Sequence, residues 1–302
     1  MAGKKKSTAV KIILTLGLLF LLFTRIDPQE VVHIFSTTNM VYFTVALAFV
    51  VILYVLRAYR WDQFLLSIGV FVPYIKVLKV LIIGTFYGVI TPGKIGELGR
   101  VYHLKEKKTR TAPTIIMEKI LDLIVLVSLC IITIISIFKN QWSLIYVLIA
   151  CITMTALLLY VFINPKVVGL FVRLLRLDKE STQEYFASIN QMTRDPKTII
   201  SATGITILYY TINYIVGYFL LLALNTDPSA AITLPIIILM GNIPITISGL
   251  GVRESIGAFC FMLLGLDAAY GISFSFMLFL VITLIPGLFG YLLTVRGESH
   301  AG

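Results

Sequence analysis

The sequence predicts an all-α fold, a polytopic membrane helical bundle, and three observations predict it. Hydrophobic residues fill 58% of the 302 positions and charged residues only 13%, about half the charged share of a soluble domain. The mean hydropathy is +0.96, and several apolar runs reach the roughly 20 residues a helix needs to cross a bilayer. The remaining lysines and arginines gather between those runs, where membrane topology places them. We expect one integral membrane domain over residues 1–302, with no room for a sizeable soluble catalytic domain.

The elements follow in order. Lys4, Lys5 and Lys6 precede a first span from about Val10 to Thr24. No small-x-small cleavage site follows it, so it reads as a retained signal-anchor. A second span covers about Met40 to Leu56 and ends at Arg57 and Arg60. Trp61 to Lys79 alternates apolar and polar residues, which suits an interfacial segment. Val80 to Ile90 is apolar but too short to cross, and it breaks at Thr91-Pro92-Gly93. Spans follow at about Pro113 to Phe138 and Trp142 to Ile163. Residues 166–191 form an amphipathic segment expected on the cytoplasmic surface. The next span is about Thr198 to Leu224. Ala230 to Ile247 is interrupted by Pro235, Gly241 and Pro244, a short apolar piece runs from Ser255 to Leu266, and the last span is about Tyr270 to Val295.

Loop charge orients these spans. The Lys4–Lys11 end lies inside, the Arg25–Glu30 loop outside, and Arg57–Lys79 and Lys94–Arg110 inside. The loop at Lys139 is outside, Lys166–Lys197 inside, the loop at Asp227 outside, and Arg296 inside. Both ends of the first broken segment, residues 80–104, then lie inside, and both ends of the second, residues 230–266, lie outside. The expectation is about six full spans, two re-entrant helical hairpins of opposite orientation, and both termini cytoplasmic in the cell membrane. Gly96 and Gly249 sit about half the chain apart, which fits an inverted repeat, although the halves share little sequence. Paired Gly/Pro-broken segments point to a transport site, because irregular backbone at membrane depth survives only against protein or a wet cavity.

Charges within spans cost roughly 2.5 to 3.5 kcal/mol each on insertion scales. Glu118 and Asp122 share one helix face and lie about 8 Å and 13 Å into their span. They need a cationic partner, water or protons, and Lys94, Arg100 and Arg253 are the natural cations. Lys119 points elsewhere and can snorkel. Ser248-Gly249-Leu250-Gly251 bares backbone N–H groups ahead of a half-helix carrying Arg253, an arrangement that binds anions. The Thr91-Pro92-Gly93-Lys94 turn has the same logic. Asn213 reads as a helix–helix hydrogen bond. The candidate substrate-binding residues are Lys94, Glu97, Arg100, Glu118, Asp122, Arg253 and Glu254.

Other chemistry finds little support. The net charge of +10 follows from loop lysines and arginines, so no nucleic acid is expected. Cys130, Cys151 and Cys260 lack ligand spacing, and His33, His103 and His300 are scattered. No metal, no cofactor and no catalytic residue is expected. Homo-oligomerisation is left open.

Three stretches carry a resemblance. Ile90-Thr-Pro-Gly-Lys-Ile-Gly-Glu-Leu-Gly-Arg100, Met117-Glu118-Lys-Ile-Leu-Asp122 and Ile247-Ser-Gly-Leu-Gly-Val-Arg253-Glu254 resemble signatures of the lysylphosphatidylglycerol synthase transmembrane-region family, also called flippase-like proteins. Many relatives have Glu-Arg where this chain has Glu118-Lys119. The resemblance implies a bundle that moves lipid between leaflets. In bacterial relatives that lipid is an aminoacylated phosphatidylglycerol made by a separate soluble domain, so synthase activity is not carried over. Some archaeal relatives are linked with dolichol-phosphate glycosylation. The expected partner is a membrane lipid with an anionic phosphate head group, of aminoacyl-phospholipid or polyprenyl-phosphate type. The expected function is that of a non-enzymatic lipid flippase, and the alternative is a membrane enzyme or accessory protein of polyprenyl-phosphate-linked glycosylation.

Overall fold

A computed structural model describes residues 28–91, 94–104, 106–137, 179–243 and 246–298, together with six single positions between 149 and 164. Every regular element among them is helical, and no strand occurs among the described residues. Four helices are long and apolar enough to cross a membrane: Met40–Ser67, Lys108–Ser136, Pro196–Ala223 and Ala268–Val295, with mean hydropathies from 1.6 to 2.4. These are four of the six expected spans. The expected spans at Val10–Thr24 and Trp142–Ile163, and the amphipathic segment before Lys179, lie outside the described residues.

The helices are α1 (Pro28–Ser36), α2 (Met40–Ser67), α3 (Tyr74–Val89), α4 (Lys108–Ile137), α5 (Lys179–Arg194), α6 (Pro196–Ala223), α7 (Leu234–Gly241), α8 (Val252–Leu263), α9 (Ala268–Phe279) and α10 (Ile285–Glu298). Tight 3₁₀ segments span Ile95–His103 and Pro228–Thr233, and a π-turn at Leu280–Leu284 joins α9 to α10. One expectation is corrected here. Residues 61–79 are not a single interfacial segment: α2 continues to Ser67, a turn follows, and α3 begins at Tyr74. The stop is local. Gly69 adopts φ 70°, and the N–H groups of Gly69 and Val70 donate back to Leu66 and Leu65 carbonyls at 2.9 Å, the usual left-handed glycine ending of a helix.

The chain divides into two compact units. The described part of the first takes residues 28–53, 81–99 and 211–298, apart from the undescribed turn positions. Its helices meet through glycines and rings. Phe219 stacks on Phe49 at 5.7 Å, and Phe35 meets Phe276 edge-on at 5.8 Å. A Cβ on Gly257 would meet the Gly271 carbonyl, and one on Gly271 would meet the Gly257 carbonyl, so α8 and α9 touch backbone to backbone. Small residues allow this close approach within membranes. In the same way, Gly290 of α10 lies on the Ile82 carbonyl of α3, beside the Phe86–Tyr291 pair at 5.3 Å.

The second unit takes residues 54–80 and the described part of 100–210. Trp61, Phe64 and Leu65 of α2 are fully buried, and the Trp61 indole N–H donates to Thr114 Oγ1 of α4 at 2.9 Å. Arg110 donates to the Ile68 carbonyl, which fixes the turn after α2 to the start of α4. Helix α5 buries Tyr185, Ser188 and Met192 and is held to α4 by Glu184. That carboxylate accepts from Lys107 Nζ and Thr109 Oγ1, each at 2.6 Å.

Candidate functional site

The seven candidate residues fall into two groups, one in each unit. In the second unit, Glu118 and Asp122 project from one face of α4, as their spacing requires. Arg60 of α2 meets both. Its Nη1 donates to Asp122 Oδ1 at 2.6 Å and to Thr206 Oγ1 of α6 at 2.8 Å. Its Nη2 donates to Asp122 Oδ2 at 3.1 Å, and its Nε lies 3.4 Å from Glu118 Oε1. The other oxygen of Glu118 takes the Arg100 guanidinium, which also stacks 4.0 Å above the Trp61 ring. Cation–π stacking of a desolvated guanidinium adds to the ion pair. Two arginines therefore face two carboxylates, and the group is balanced in charge.

Burial decides what this group can do. Arg60 and Arg100 are each 1% exposed and Glu118 is 2% exposed, while the Asp122 side chain keeps 19% exposure. Charges this deep persist only when paired and hydrogen-bonded. Arg100 is a partner of Glu118, as the sequence suggested. Arg60 is the partner that sequence reasoning missed, because it was placed at the end of the apolar run. The signal was present: Ala46, Val50, Leu53 and Phe64 are all buried on α2, and Arg60 continues that helical stripe.

The second group lies in the first unit, where the chain breaks twice. After α3, Gly96 packs so tightly on the Tyr87 carbonyl and Thr91 hydroxyl that a Cβ would collide with both, and its N–H donates to Thr91 Oγ1 at 2.7 Å. Lys94 holds the left-handed turn conformation at φ 56°. Glu97 is buried at 5% exposure, its Cγ against Gly88. After α7 the pattern recurs. Gly249, at φ 76°, lies on the Gly241 backbone, and Ser248 is left-handed at φ 53°.

Helix α8 starts from this second turn. The Gly251 N–H donates to Glu254 Oε2 at 2.6 Å, a carboxylate cap on the first turn of the helix. The Arg253 side chain lies along Gly241, where a Cβ would come within 3.3 Å of its Cδ, and its guanidinium sits 4.6 Å from the Phe279 ring centre. Arg253 Nη2 and Glu254 Oε1 are 3.5 Å apart. Arg253 is 6% exposed and Glu254 is 3% exposed. Among the described residues, Arg253 Nε and Nη2, Glu254 Oε1, Ser248 Oγ and Thr246 Oγ1 have no hydrogen-bond partner. Unfilled buried polar atoms are rare in native structures. In the network around Arg60 the nitrogens left over are Arg60 Nε and Arg100 Nε, whereas the turn before α8 gathers five such atoms, of both donor and acceptor type.

The described residues contain no group of three or more His, Cys, Asp or Glu able to hold a metal ion. Cys130 and Cys260 are buried, in keeping with apolar packing. Asn213 is buried at 2% exposure.

No curated protein matches the chain. The family described as lysylphosphatidylglycerol synthase TM region matches residues 8–290, a stretch that contains all three motifs, both broken segments, three of the four described spans and most of the fourth. The chain is a multi-pass membrane protein of the lysylphosphatidylglycerol synthase TM region family.

Proposed function

We propose that the protein is a lipid flippase-like transporter, moving a phospholipid or a lipid-linked head group between leaflets through a polar intramembrane cavity. The observation that carries this reading is the turn before α8. There a buried arginine and a buried carboxylate both keep unfilled hydrogen-bonding atoms beside a broken apolar helix. A polar, irregular turn within a chain of apolar spans needs protein, a wet cavity or a polar cargo against it, and the unfilled atoms favour a cargo. The first break, with Lys94 and Glu97, supplies the matching element. In this reading the two breaks are re-entrant, entering from opposite faces of the cell membrane, and both termini are cytoplasmic, as the loop charges direct.

The roles divide between the groups. Arg253 and Glu254 meet the head group, with Lys94 and Glu97 at the first break. Arg100, Glu118 and Asp122 act indirectly, by locking α2, α4 and the 3₁₀ segment together within the second unit. Enzyme chemistry is a weaker reading, because Glu118 and Asp122 are each engaged by an arginine in an ion pair rather than presented to a substrate. The test is reconstitution of the full chain in sealed liposomes with a leaflet-specific lipid reporter. Exchange faster than in protein-free liposomes is expected. No acceleration with either aminoacyl-phospholipid or polyprenyl-phosphate reporters would overturn the proposal.

A further inference from the structure

The unfilled atoms in the turn before α8 are of both signs. Arg253 offers Nε and Nη2, which together form one edge of the guanidinium, the pair of parallel N–H groups that grips two oxygens of a single phosphate. Glu254 offers Oε1, an anionic acceptor, while its Oε2 is fixed by the Gly251 N–H. At 3.5 Å the two side chains compensate each other's charge without satisfying each other's hydrogen bonds. Ser248 and Thr246 add two hydroxyls in the same turn, 1% and 0% exposed.

The pair carries no net charge, and it sits where adding a net charge is expensive. A purely anionic ligand would leave Glu254 facing a like charge. A purely cationic one would leave Arg253 in the same position. A ligand bearing a phosphate and a protonated amine fills both sets of atoms and adds no net charge. We propose that the turn formed by Thr246, Ser248, Arg253 and Glu254 is a binding site for a zwitterionic head group, with the phosphate on the Arg253 edge and a primary ammonium on Glu254 Oε1. The site is shielded as it stands, so the head group enters as the turn moves. This deepens the transport reading and rests on it for the route of entry, yet binding is measurable without transport.

The experiment uses the full chain in detergent, with a fluorescent phosphatidylethanolamine displaced by unlabelled lipids. Phosphatidylethanolamine offers phosphate and a primary ammonium. Phosphatidylcholine keeps the charges but has no N–H, and phosphatidylglycerol lacks the amine. One charge-assisted hydrogen bond corresponds to about a tenfold change in affinity, so phosphatidylethanolamine is expected to compete about tenfold better than either. Glu254→Gln keeps an oxygen to accept from Gly251 and so keeps the helix cap, and it is expected to erase that preference. Arg253→Gln is expected to weaken phosphatidylethanolamine binding by about tenfold or more. Equal competition by the three lipids, or a preference unchanged in Glu254→Gln, would overturn the site. Should either variant fail to fold, the wild-type competition order alone decides the matter. Selective binding without leaflet exchange would retire the transport reading and keep the site, and exchange without selectivity would do the reverse.

Discussion

Replacing Arg60 by methionine isolates the part of the structure least visible in the sequence. Arg60 is 1% exposed and makes hydrogen bonds to Asp122 at 2.6 and 3.1 Å and to Thr206 at 2.8 Å. Glu118 would keep Arg100 after the change, but Asp122 would lose its guanidinium partner. Removing one partner of a buried pair costs about 3–5 kcal/mol, whereas replacing the whole pair by apolar residues is often neutral. Asp122 keeps 19% exposure, so the lower end of that range applies. Arg60→Met is therefore expected to destabilise the protein by about 3 kcal/mol. The double change Arg60→Met with Asp122→Leu should recover most of that loss. Reversible unfolding in mixed micelles measures both. A loss below about 1 kcal/mol for the single variant, the size of an exposed pair, would refute the reasoning. So would a double variant no better than the single one.

Other predictions follow from the same geometry. Glu118→Gln should destabilise more than Asp122→Asn in the same assay, because Glu118 faces both arginines and is the more buried. Gly249→Ala places a Cβ on the Gly241 carbonyl at φ 76° and should cost about 2–4 kcal/mol from left-handed strain and overpacking. Gly204→Ala, where nothing lies within 4 Å of the new Cβ, should be neutral or slightly stabilising. The bonds from Lys107 and Thr109 hold the Glu184 carboxyl below its ordinary pKa. Their contribution is thus present above the ordinary carboxylate pKa and lost as pH falls through the lowered one. Amide exchange in α5, corrected for intrinsic rates, should accelerate over that acidic range, and Glu184→Gln should remove the step.

Much of the fold was legible because apolar run length is a strong signal. The expected spans beginning near Met40, Pro113, Thr198 and Tyr270 all correspond to described helices. Boundaries shifted where polar chemistry is satisfied internally. Arg57 and Arg60 looked like the end of a span, yet α2 runs on to Ser67, since Arg60 is neutralised by α4. Helix α8 begins at Val252, three residues before its apolar run, because Glu254 caps it. Of the candidate site, the sequence singled out the Glu118–Asp122 face and the Arg253–Glu254 turn. It could not show that the first group is largely cross-paired, with one Nε left over on each of Arg60 and Arg100, while the second keeps five unfilled atoms in one turn. That difference depends on pairs far apart in the chain, such as Arg60 with Asp122 and Arg60 with Thr206, which no local spacing encodes.

Leaflet exchange of a reporter lipid in sealed liposomes, compared between the wild-type chain and Arg253→Gln at equal copies per vesicle, tests the central claim most directly. The account predicts fast exchange with the wild type, and exchange near the protein-free rate with Arg253→Gln measured at a temperature where that variant remains folded. A wild-type chain no faster than empty liposomes, or an Arg253→Gln chain as fast as wild type, would contradict it.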